Sequence, residues 1–305
     1  MKKSYIKKIV LAVLLITLTS VVLAGCISKP PHKMFSDPWL NEEIVTYEVK
    51  RELDDYDGHK DVVIKGESTM TTKRITNQTI KVGNETIENF TGTLVTIDTQ
   101  LEDGSSMIGE VAFKTTLEPI VSYKKTSVVG YPNNSPEKDT TQEYTLKYGN
   151  EACNYTADNN GVKSTGTIKL TEWSKSQYYD NLMVYHIARS SYYEKKDNLV
   201  FTPITVPVIS TGDFTQKSLS VGKKGPTFAF KLGEKDDKED KGIKADMITI
   251  TLNQTFPGSG APLVAMISTE SNENYQGLDL SRTRHLLQFT EGDMTYTIKS
   301  ISEKQ

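Results

Sequence analysis

The sequence predicts a mainly β fold, in which a curved antiparallel sheet packs around one amphipathic helix. Most of the chain beyond residue 42 alternates apolar and polar residues with a period of two, the spacing of a half-buried strand. Asp-Gly and Asn-Gly pairs interrupt these runs at residues 57–58, 103–104 and 160–161, where tight hairpin turns are expected. One segment, residues 178–193, instead places its apolar residues at helical spacing.

The first 25 residues have the order of a secretory signal peptide. Lysines stand at positions 2, 3, 7 and 8, an uncharged apolar run covers residues 9–18, and the small residues Ala24 and Gly25 precede Cys26. So short an apolar run favours a cleaved signal over a spanning helix. The end of the segment resembles the lipobox of prokaryotic lipoproteins, which implies that Cys26 is lipidated and becomes the first mature residue. An uncleaved anchor helix, or a plain signal with a cysteine by chance, is the alternative.

Lipidation would hold the protein at the extracytoplasmic face of the cell membrane, because buried acyl chains anchor a domain without a transmembrane helix. Without residues 1–25 the chain has 32 basic and 39 acidic side chains, a net charge of −7. This balance argues against nucleic acid as a partner, since nucleic-acid binding needs clustered Lys and Arg to neutralise phosphates. The predicted partners are the membrane, through the lipid, and a lipid molecule or another envelope protein.

Residues 26–42 are predicted to be the lipidated cysteine and a tether, because Pro30, Pro31 and Pro38 interrupt helix and strand patterns. Residues 43–305 are predicted to form a single β-rich domain. Since Cys26 carries the lipid, Cys153 has no second cysteine with which to form an intramolecular disulfide. Its strand-like surroundings predict a buried thiol.

The predicted strands are rich in Thr, Val, Ile and Tyr, residues that suit a half-buried pleated surface. In chain order they cover residues 44–49, 62–72, 94–97, 108–113, 120–123, 144–148, 162–170, 228–230, 247–252, 263–267, 286–289 and 294–298. No repeat of fixed length is present, which argues against a propeller or a solenoid. The turns between the strands predict antiparallel hairpins.

Residues 178–193 contain no proline or glycine and predict the one helix of the mature chain. Five residues share its apolar face and are our candidates for ligand binding: Tyr179, Leu182, Met183, His186 and Ile187. Lys175, Asp180 and Arg189 are expected to face solvent. A single amphipathic helix in a β protein needs an apolar surface to cover, and the concave side of a curved sheet provides one.

The helix sequence from Tyr179 to Arg189 resembles the helix of DUF3108-type envelope proteins, which opens on tyrosine-aspartate and closes on arginine. Residues 197–201, 203–209, 228–230, 247–252 and 261–264 are similar to segments that follow in that family. The resemblance extends over about residues 44–302 and implies the fold of the related LolA and LolB lipoprotein carriers, an open half-barrel wrapped around a helix. The chain departs from the family's tryptophan-rich close, since it has Tyr296 near its end.

Sequons for N-glycosylation, Asn-x-Ser/Thr, are frequent in this chain. They place candidate glycans on Asn77, Asn84, Asn89, Asn154 and Asn253. A sixth, at Asn133, is weakened by the proline after its serine. Chance is the alternative, because Asn, Ser and Thr are abundant here. A lipobox together with many sequons indicates an archaeal surface protein.

No pattern in the sequence is typical of an enzyme or a metal site. None of the four histidines lies four residues from another, as in helical zinc sites. His186 is therefore expected to be a core or rim residue. The serine pairs at 105–106 and 190–191 lack the glycines of a nucleophile elbow. We expect a non-catalytic protein without a cofactor or a bound metal.

The leading functional hypothesis is the binding of an apolar or lipid ligand, or of another envelope component, in the concavity of the sheet. The alternative is a glycosylated structural or adhesion module without a ligand pocket. A third class, a hydrolase, requires Asp, Glu or His residues that converge in one cleft. Whether the hollow is open or filled distinguishes the first two hypotheses.

Overall fold

The computed structural model describes residues 42–53, 62–130, 139–171, 177–190, 199–208, 213–232, 241–252, 263–280 and 282–304. The predicted signal peptide, Cys26, the tether up to residue 41, Lys175 and Asn253 lie outside these residues. Within the described residues the chain forms 18 strands, one 3₁₀ turn and one α-helix.

The elements follow one another in this order. The first nine strands are β1 (Glu42–Leu53), β2 (Val62–Val82), β3 (Glu85–Leu101), β4 (Ser106–Phe113), β5 (Pro119–Val128), β6 (Thr140–Tyr148), β7 (Ala152–Asn159), β8 (Val162–Lys169) and β9 (Tyr179–Asp180). A 3₁₀ turn (Asn181–Met183) and helix α1 (Val184–Ser190) come next. The later strands are β10 (Leu199–Val208), β11 (Asp213–Lys223), β12 (Phe228–Phe230), β13 (Ile243–Leu252), β14 (Leu263–Ser268), β15 (Asn272–Tyr275), β16 (Leu278–Leu280), β17 (Leu286–Glu291) and β18 (Met294–Lys304).

Sixteen of the described strands belong to one sheet, while β15 and β16 form a separate hairpin. The order across the large sheet is β8-β7-β6-β5-β4-β3-β2-β1-β18-β17-β14-β13-β11-β10-β9, and β12 pairs with β13 beside this path. Consecutive hairpin strands such as β2 and β3 are antiparallel, whereas the short β9 runs parallel to β10. The two end strands, β8 and β9, are not paired with each other. The prediction of a mainly β fold, with a curved and unclosed antiparallel sheet around one helix, is confirmed.

The period-two pattern of β1 gives the sheet one apolar face. Val45, Tyr47 and Val49 are buried, and the residues between them are more exposed, because successive side chains point to opposite faces of a strand. Glu43 has the same parity as these three residues, and it is buried with them. A charged residue thus stands at a position whose pattern calls for an apolar one.

The main core lies between the concave face of the sheet and the helix. Met183, Ile187 and Ala188 are fully buried against this face. Complete burial of a side chain such as Ile187 contributes about 1.5–3 kcal/mol to stability. Phe289 stacks on Tyr296 with ring centroids 4.3 Å apart and also contacts Tyr185 at 4.4 Å. This aromatic layer joins the helix to β17 and β18.

The end of the β2–β3 hairpin, residues 75–90, forms an arm that folds over the opposite face of the sheet. Its apolar residues Ile80, Val82 and Phe90 pack with Ala112 of β4 and Val121 of β5. The backbone N–H of Gly83 donates a hydrogen bond of 2.6 Å to Oε2 of Glu110. The wall of the half-barrel is therefore two layers thick at β4 and β5.

A third cluster spans the two unpaired ends of the sheet. Phe214 of β11 contacts Tyr144 of β6 and Tyr155 of β7, in both cases with ring centroids 5.0 Å apart. Cys153 lies in the same cluster and is fully buried, and this burial raises the pKa of its thiol. The predicted buried cysteine is confirmed, and side chains rather than backbone hydrogen bonds bridge the described ends of the sheet.

The helix differs from its predicted extent. Residues 179 and 180 form β9, a 3₁₀ turn follows, and the α-helix covers only Val184–Ser190, while residues 191–193 lie outside the described residues. The strand comes first because the backbone of β9 pairs with β10, an interaction that apolar spacing alone does not reveal. The part of the chain that the structure describes contains no helix with the length and hydropathy of a membrane span.

Candidate functional site

The structure brings the five predicted ligand-binding residues together under the concave face. Tyr179, Met183 and Ile187 are 3%, 0% and 0% exposed, and His186 is 8% exposed. Leu182 is partly buried and packs against the same core. The five predicted residues thus share one surface that protein contacts largely cover, but all seven residues of the α-helix are buried, so the solvent-exposed face expected of an amphipathic helix is not found here.

A small cavity remains beside the helix. Its volume is about 10 Å³. It is lined by Met70, Thr72, Val95, Ile97, Leu182, Tyr185, His186 and Arg189. A cavity of this size holds roughly one water molecule. Two of the five predicted residues, Leu182 and His186, line it, and an acyl chain does not fit without movement of the helix.

His186 is held as a neutral core residue. Its ring contacts Phe113 edge-on, with centroids 4.8 Å apart. Burial, together with the charge of Arg189, lowers the pKa of His186 to about 3 despite the opposing charge of Glu43. The expectation of a core or rim histidine agrees with this environment.

Asp180 fixes the start of the helical segment. Its Oδ1 accepts a hydrogen bond of 2.8 Å from the backbone N–H of Leu182, which caps the 3₁₀ turn. Its Oδ2 accepts hydrogen bonds of 2.6 Å from the hydroxyls of Ser122 and Tyr148. The prediction that Asp180 faces solvent is wrong, because strands β5 and β6 supply the donors that compensate its burial. Burial nevertheless raises the pKa of its carboxyl group.

Arg189, also predicted to face solvent, is buried in an ion pair with Glu43. Its Nη1 and Nη2 donate hydrogen bonds of 2.7 and 3.0 Å to the two carboxylate oxygens. The exposed fractions are 3% for Arg189 and 4% for Glu43. Burial alone would raise the pKa of Glu43, but the guanidinium, with help from His285, outweighs it and holds that pKa well below its usual value. The prediction failed because the partner of Arg189 is 146 residues away in sequence.

Backbone contacts surround this pair. Nε of Arg189 donates a hydrogen bond of 2.8 Å to the carbonyl oxygen of Arg284, and Nε of Arg284 donates one of the same length to the carbonyl oxygen of Arg189. Nη2 of Arg284 also donates a hydrogen bond of 3.0 Å to the carbonyl oxygen of Ala188. The last turn of the helix is therefore fixed to the segment before β17 by reciprocal hydrogen bonds.

His285 lies between two carboxylates. Its Nδ1 is 3.6 Å from Oε2 of Glu43, and its Nε2 is 3.8 Å from Oε1 of Glu303. The imidazole is 2% exposed, and neither nitrogen has a hydrogen-bond partner among the described residues. Sequence reasoning missed this group because its members stand at 43, 285 and 303, and the inward parity of Glu43 was the one available signal.

The four candidate glycosylation sites among the described residues lie on the surface, while Asn133 and Asn253 are outside those residues. Asn77, Asn84 and Asn89, all on the arm, and Asn154 on β7 are exposed. Asn77 and Asn89 have positive φ values of 49° and 53°, at irregular positions of the strand pairing. The side chains of the three arm residues are therefore accessible while the apolar side of the arm faces β4 and β5.

Comparison with known proteins gives few matches. No family model and no curated protein matches the sequence. One solved structure that matches is a β-barrel-like protein of the domain of unknown function DUF1849 from Brucella abortus. It shares 10% sequence identity with this chain, the match covers 88% of this chain and 99% of the other, and the TM-score is 0.46.

Proposed function

We propose that the protein is a non-catalytic, lipid-anchored module at the extracytoplasmic face of the cell membrane, with its β domain exposed on a short tether. The observation that carries this proposal is the filled hollow. Among the described residues the helix occupies the concave face and leaves beside it a cavity of about 10 Å³, too small for a ligand, which favours a role for the outer surface of the domain over this cavity.

The environments of the buried ionisable groups support a non-catalytic role. His186 packs on Phe113, Asp180 caps the helical segment, and Glu43 pairs with Arg189. Displaced pKa values are typical of active sites, but ion pairs and burial in a core produce them too. Here burial in the core or an ion pair explains the shifted pKa of each of these groups.

The anchor is supported by the sequence of residues 1–26 and is tested by replacing Cys26. Wild-type protein expressed in an archaeal or bacterial host should sediment with membranes and begin at a lipid-modified Cys26 in mass spectrometry. The C26S variant should lose the lipid mass and show greatly reduced membrane association. A native product that retains its amino-terminal lysines would contradict both the signal peptide and the anchor.

The exposed arm supports glycosylation of this surface. In a glycosylating archaeal host we expect glycans on Asn77, Asn84 and Asn89, since their side chains are accessible. Glycopeptide mass spectrometry of wild type, with N77Q, N84Q and N89Q as controls, measures the occupancy of each site. Unmodified asparagines at all three positions would remove glycosylation from the proposal.

A second candidate is a carrier of apolar or lipid ligands. It is favoured by the apolar residues Met70, Val95, Ile97 and Leu182 around the cavity and by the lack of backbone pairing between the described end strands. The resemblance to DUF3108-type proteins and to LolA and LolB implies the same function. If the protein is a carrier, a ligand enters the concave side of the sheet only when the helix moves away from it.

Lipid analysis separates the two candidates. The C26S variant, which carries no acyl anchor, is purified from the fraction that does not sediment with membranes and is examined by native mass spectrometry before and after incubation with a fatty acid or a phospholipid. A structural module shows the mass of the bare chain under both conditions. A stoichiometric bound lipid establishes the carrier and overturns the filled-hollow proposal.

A further inference from the structure

We propose that Glu43, His285 and Glu303 form a binding site for one divalent transition-metal ion, for which Zn²⁺ is the test ion. One ligand atom from each residue lies within 4.8 Å of those of the other two. The histidine spacing in the sequence predicted no metal site, but that reasoning considers neighbours along the chain. The sheet brings these residues together from its first strand, its last strand and the segment before β17.

The sheet register places two like charges opposite each other. Glu43 of β1 is the direct cross-strand partner of Glu303 of β18, so both side chains leave the same face of the sheet. Like charges in this position destabilise a strand pair. A cation bound between the two carboxylates would turn this destabilising repulsion into a stabilising attraction.

The imidazole of His285 is aimed into the gap between these carboxylates. Leaving a buried donor or acceptor without a partner costs about 1–3 kcal/mol. The side chain of His285 is 2% exposed, and both nitrogens lack a hydrogen-bond partner among the described residues. A metal ion satisfies one nitrogen directly and leaves the other to face a carboxylate, an arrangement common around metal-bound histidines.

One imidazole nitrogen and two carboxylate oxygens are a donor set for ions of intermediate softness such as Zn²⁺. Tetrahedral zinc with bonds of about 2.1 Å requires ligand atoms about 3.4 Å apart. The 3.6 Å contact joins Nδ1 of His285 to Glu43, and the 3.8 Å contact joins Nε2 to Glu303. One ion binds only one of these nitrogens, and with one ligand atom from each residue the separations reach up to 4.8 Å. The side chains must therefore move closer by up to about 1.4 Å to hold a tetrahedral zinc ion. Glu303 has a side-chain exposure of 15%, which gives the ion a route from solvent and leaves room for water as a fourth ligand.

Arg189 limits the affinity without blocking the site. Its two hydrogen bonds to Glu43 use two of the roughly four lone-pair positions of that carboxylate, and the others remain for a metal. The positive charges of Arg189 and Arg282 also act on Glu303, and they would repel a cation bound beside it. We therefore expect weaker binding than two unpaired carboxylates would give.

The experiment uses the full chain in detergent, freed of metal with a chelator. Calorimetric titration with ZnCl₂ should show saturable binding of one ion, and the unfolding temperature should rise with the Zn²⁺ concentration, because an ion that binds only the folded state stabilises it. Co²⁺ should give the visible absorption bands of a four-coordinate site. E303Q and H285Q should each weaken Zn²⁺ binding at least about tenfold, since even changes behind the ligands cost 10–100-fold.

E48Q is the matched control, because it removes an exposed carboxylate from the same strand as Glu43. It should bind Zn²⁺ as wild type does. If H285Q does not fold, E303Q still decides, since Glu303 is at the edge of the cluster. The absence of saturable binding to wild type overturns the proposal, and so does wild-type affinity in both E303Q and H285Q.

Discussion

The buried pair of Glu43 and Arg189 makes a clear prediction about single residues. E43Q leaves a buried guanidinium without its counter-charge, which costs about 3–5 kcal/mol of unfolding free energy. The double variant E43L/R189M removes both charges and should be considerably more stable than E43Q, since no unpaired charge remains. Urea unfolding in the presence of a chelator measures these values without a contribution from metal ions.

The control for this cycle is E67Q, which breaks the exposed pair of Glu67 with Lys299. Exposed ion pairs contribute little, so its unfolding midpoint should stay near that of wild type. A loss in E43L/R189M as large as that in E43Q would show that the pair acts by its own attraction and not by compensating a buried charge.

His186 makes a prediction about pH. Its pKa is lowered from 6.5 to about 3 in the folded protein, so the unfolded chain binds more protons between these values. The stability that neutral His186 contributes is therefore complete above pH 6.5 and is lost as the pH falls toward 3. The loss is on the order of a few kcal/mol. H186L should lose less unfolding free energy than wild type between pH 7 and pH 4, and equal slopes would contradict the assignment.

At this scale the sequence predicted apolar contacts better than polar ones. Met183, Ile187 and His186 were identified because their spacing alone places them on one helical face. Asp180 and Arg189 were misplaced because their partners come from distant strands. A charged side chain is expected to face solvent when nothing else is known, and only the folded structure shows which group compensates its burial.

The arm formed by residues 75–90 gives a prediction about an element. Gly83 has a φ of 55°, and a Cβ at this position would lie 2.6 Å from the ring of Tyr123. G83A therefore introduces both a left-handed strain of about 1–2 kcal/mol and a clash with β5. Hydrogen exchange should become faster across the arm, with less effect on the strands of the main core.

Gly161 provides the matched control for Gly83. It also has a positive φ, of 83°, but a Cβ there meets no atom within 4 Å. G161A thus carries the backbone strain alone, and its loss of unfolding free energy should be smaller than that of G83A by about 1–3 kcal/mol, the usual cost of overpacking. Equal losses would show that Tyr123 moves away freely and that the arm is not fixed at this point.

Strands with clear alternation were predicted well, and irregular ones were not. The predicted strand at 228–230 coincides with β12, and Asn160 and Gly161 both adopt the positive φ values of the expected tight turn. The predicted strands do not include β7, β10, β11, β15 or β16, where alternation is weak, and the residues of β9 were predicted to be helical. The folded-back arm was also missed, because nothing in a hairpin sequence states which face of the sheet it will cover.

At the scale of the whole molecule, the unclosed sheet needs side chains to hold its two halves together. Strand β1 pairs with β18 at the centre of the sheet order, so the two halves are continuous there, whereas β6–β8 and β9–β11 lie at opposite ends. Within the described residues, Phe214 joins these ends through Tyr144 and Tyr155. Closure therefore depends on these aromatic contacts, which are individually worth about 0.5–1.5 kcal/mol beyond their burial, and on the hydrogen bond from Tyr148 of β6 to Asp180 of β9.

F214A tests this dependence. Because Phe214 is half-buried, its removal should lower the unfolding free energy by about 2–3 kcal/mol, less than the 3–5 kcal/mol of a core Phe→Ala change. Hydrogen exchange should become faster in β6, β7 and β11 together, since all three lose the same contact. F228A is the control, as Phe228 is also half-buried but packs on the main core. Faster exchange in β11 alone would mean that the two ends of the sheet are not coupled through Phe214.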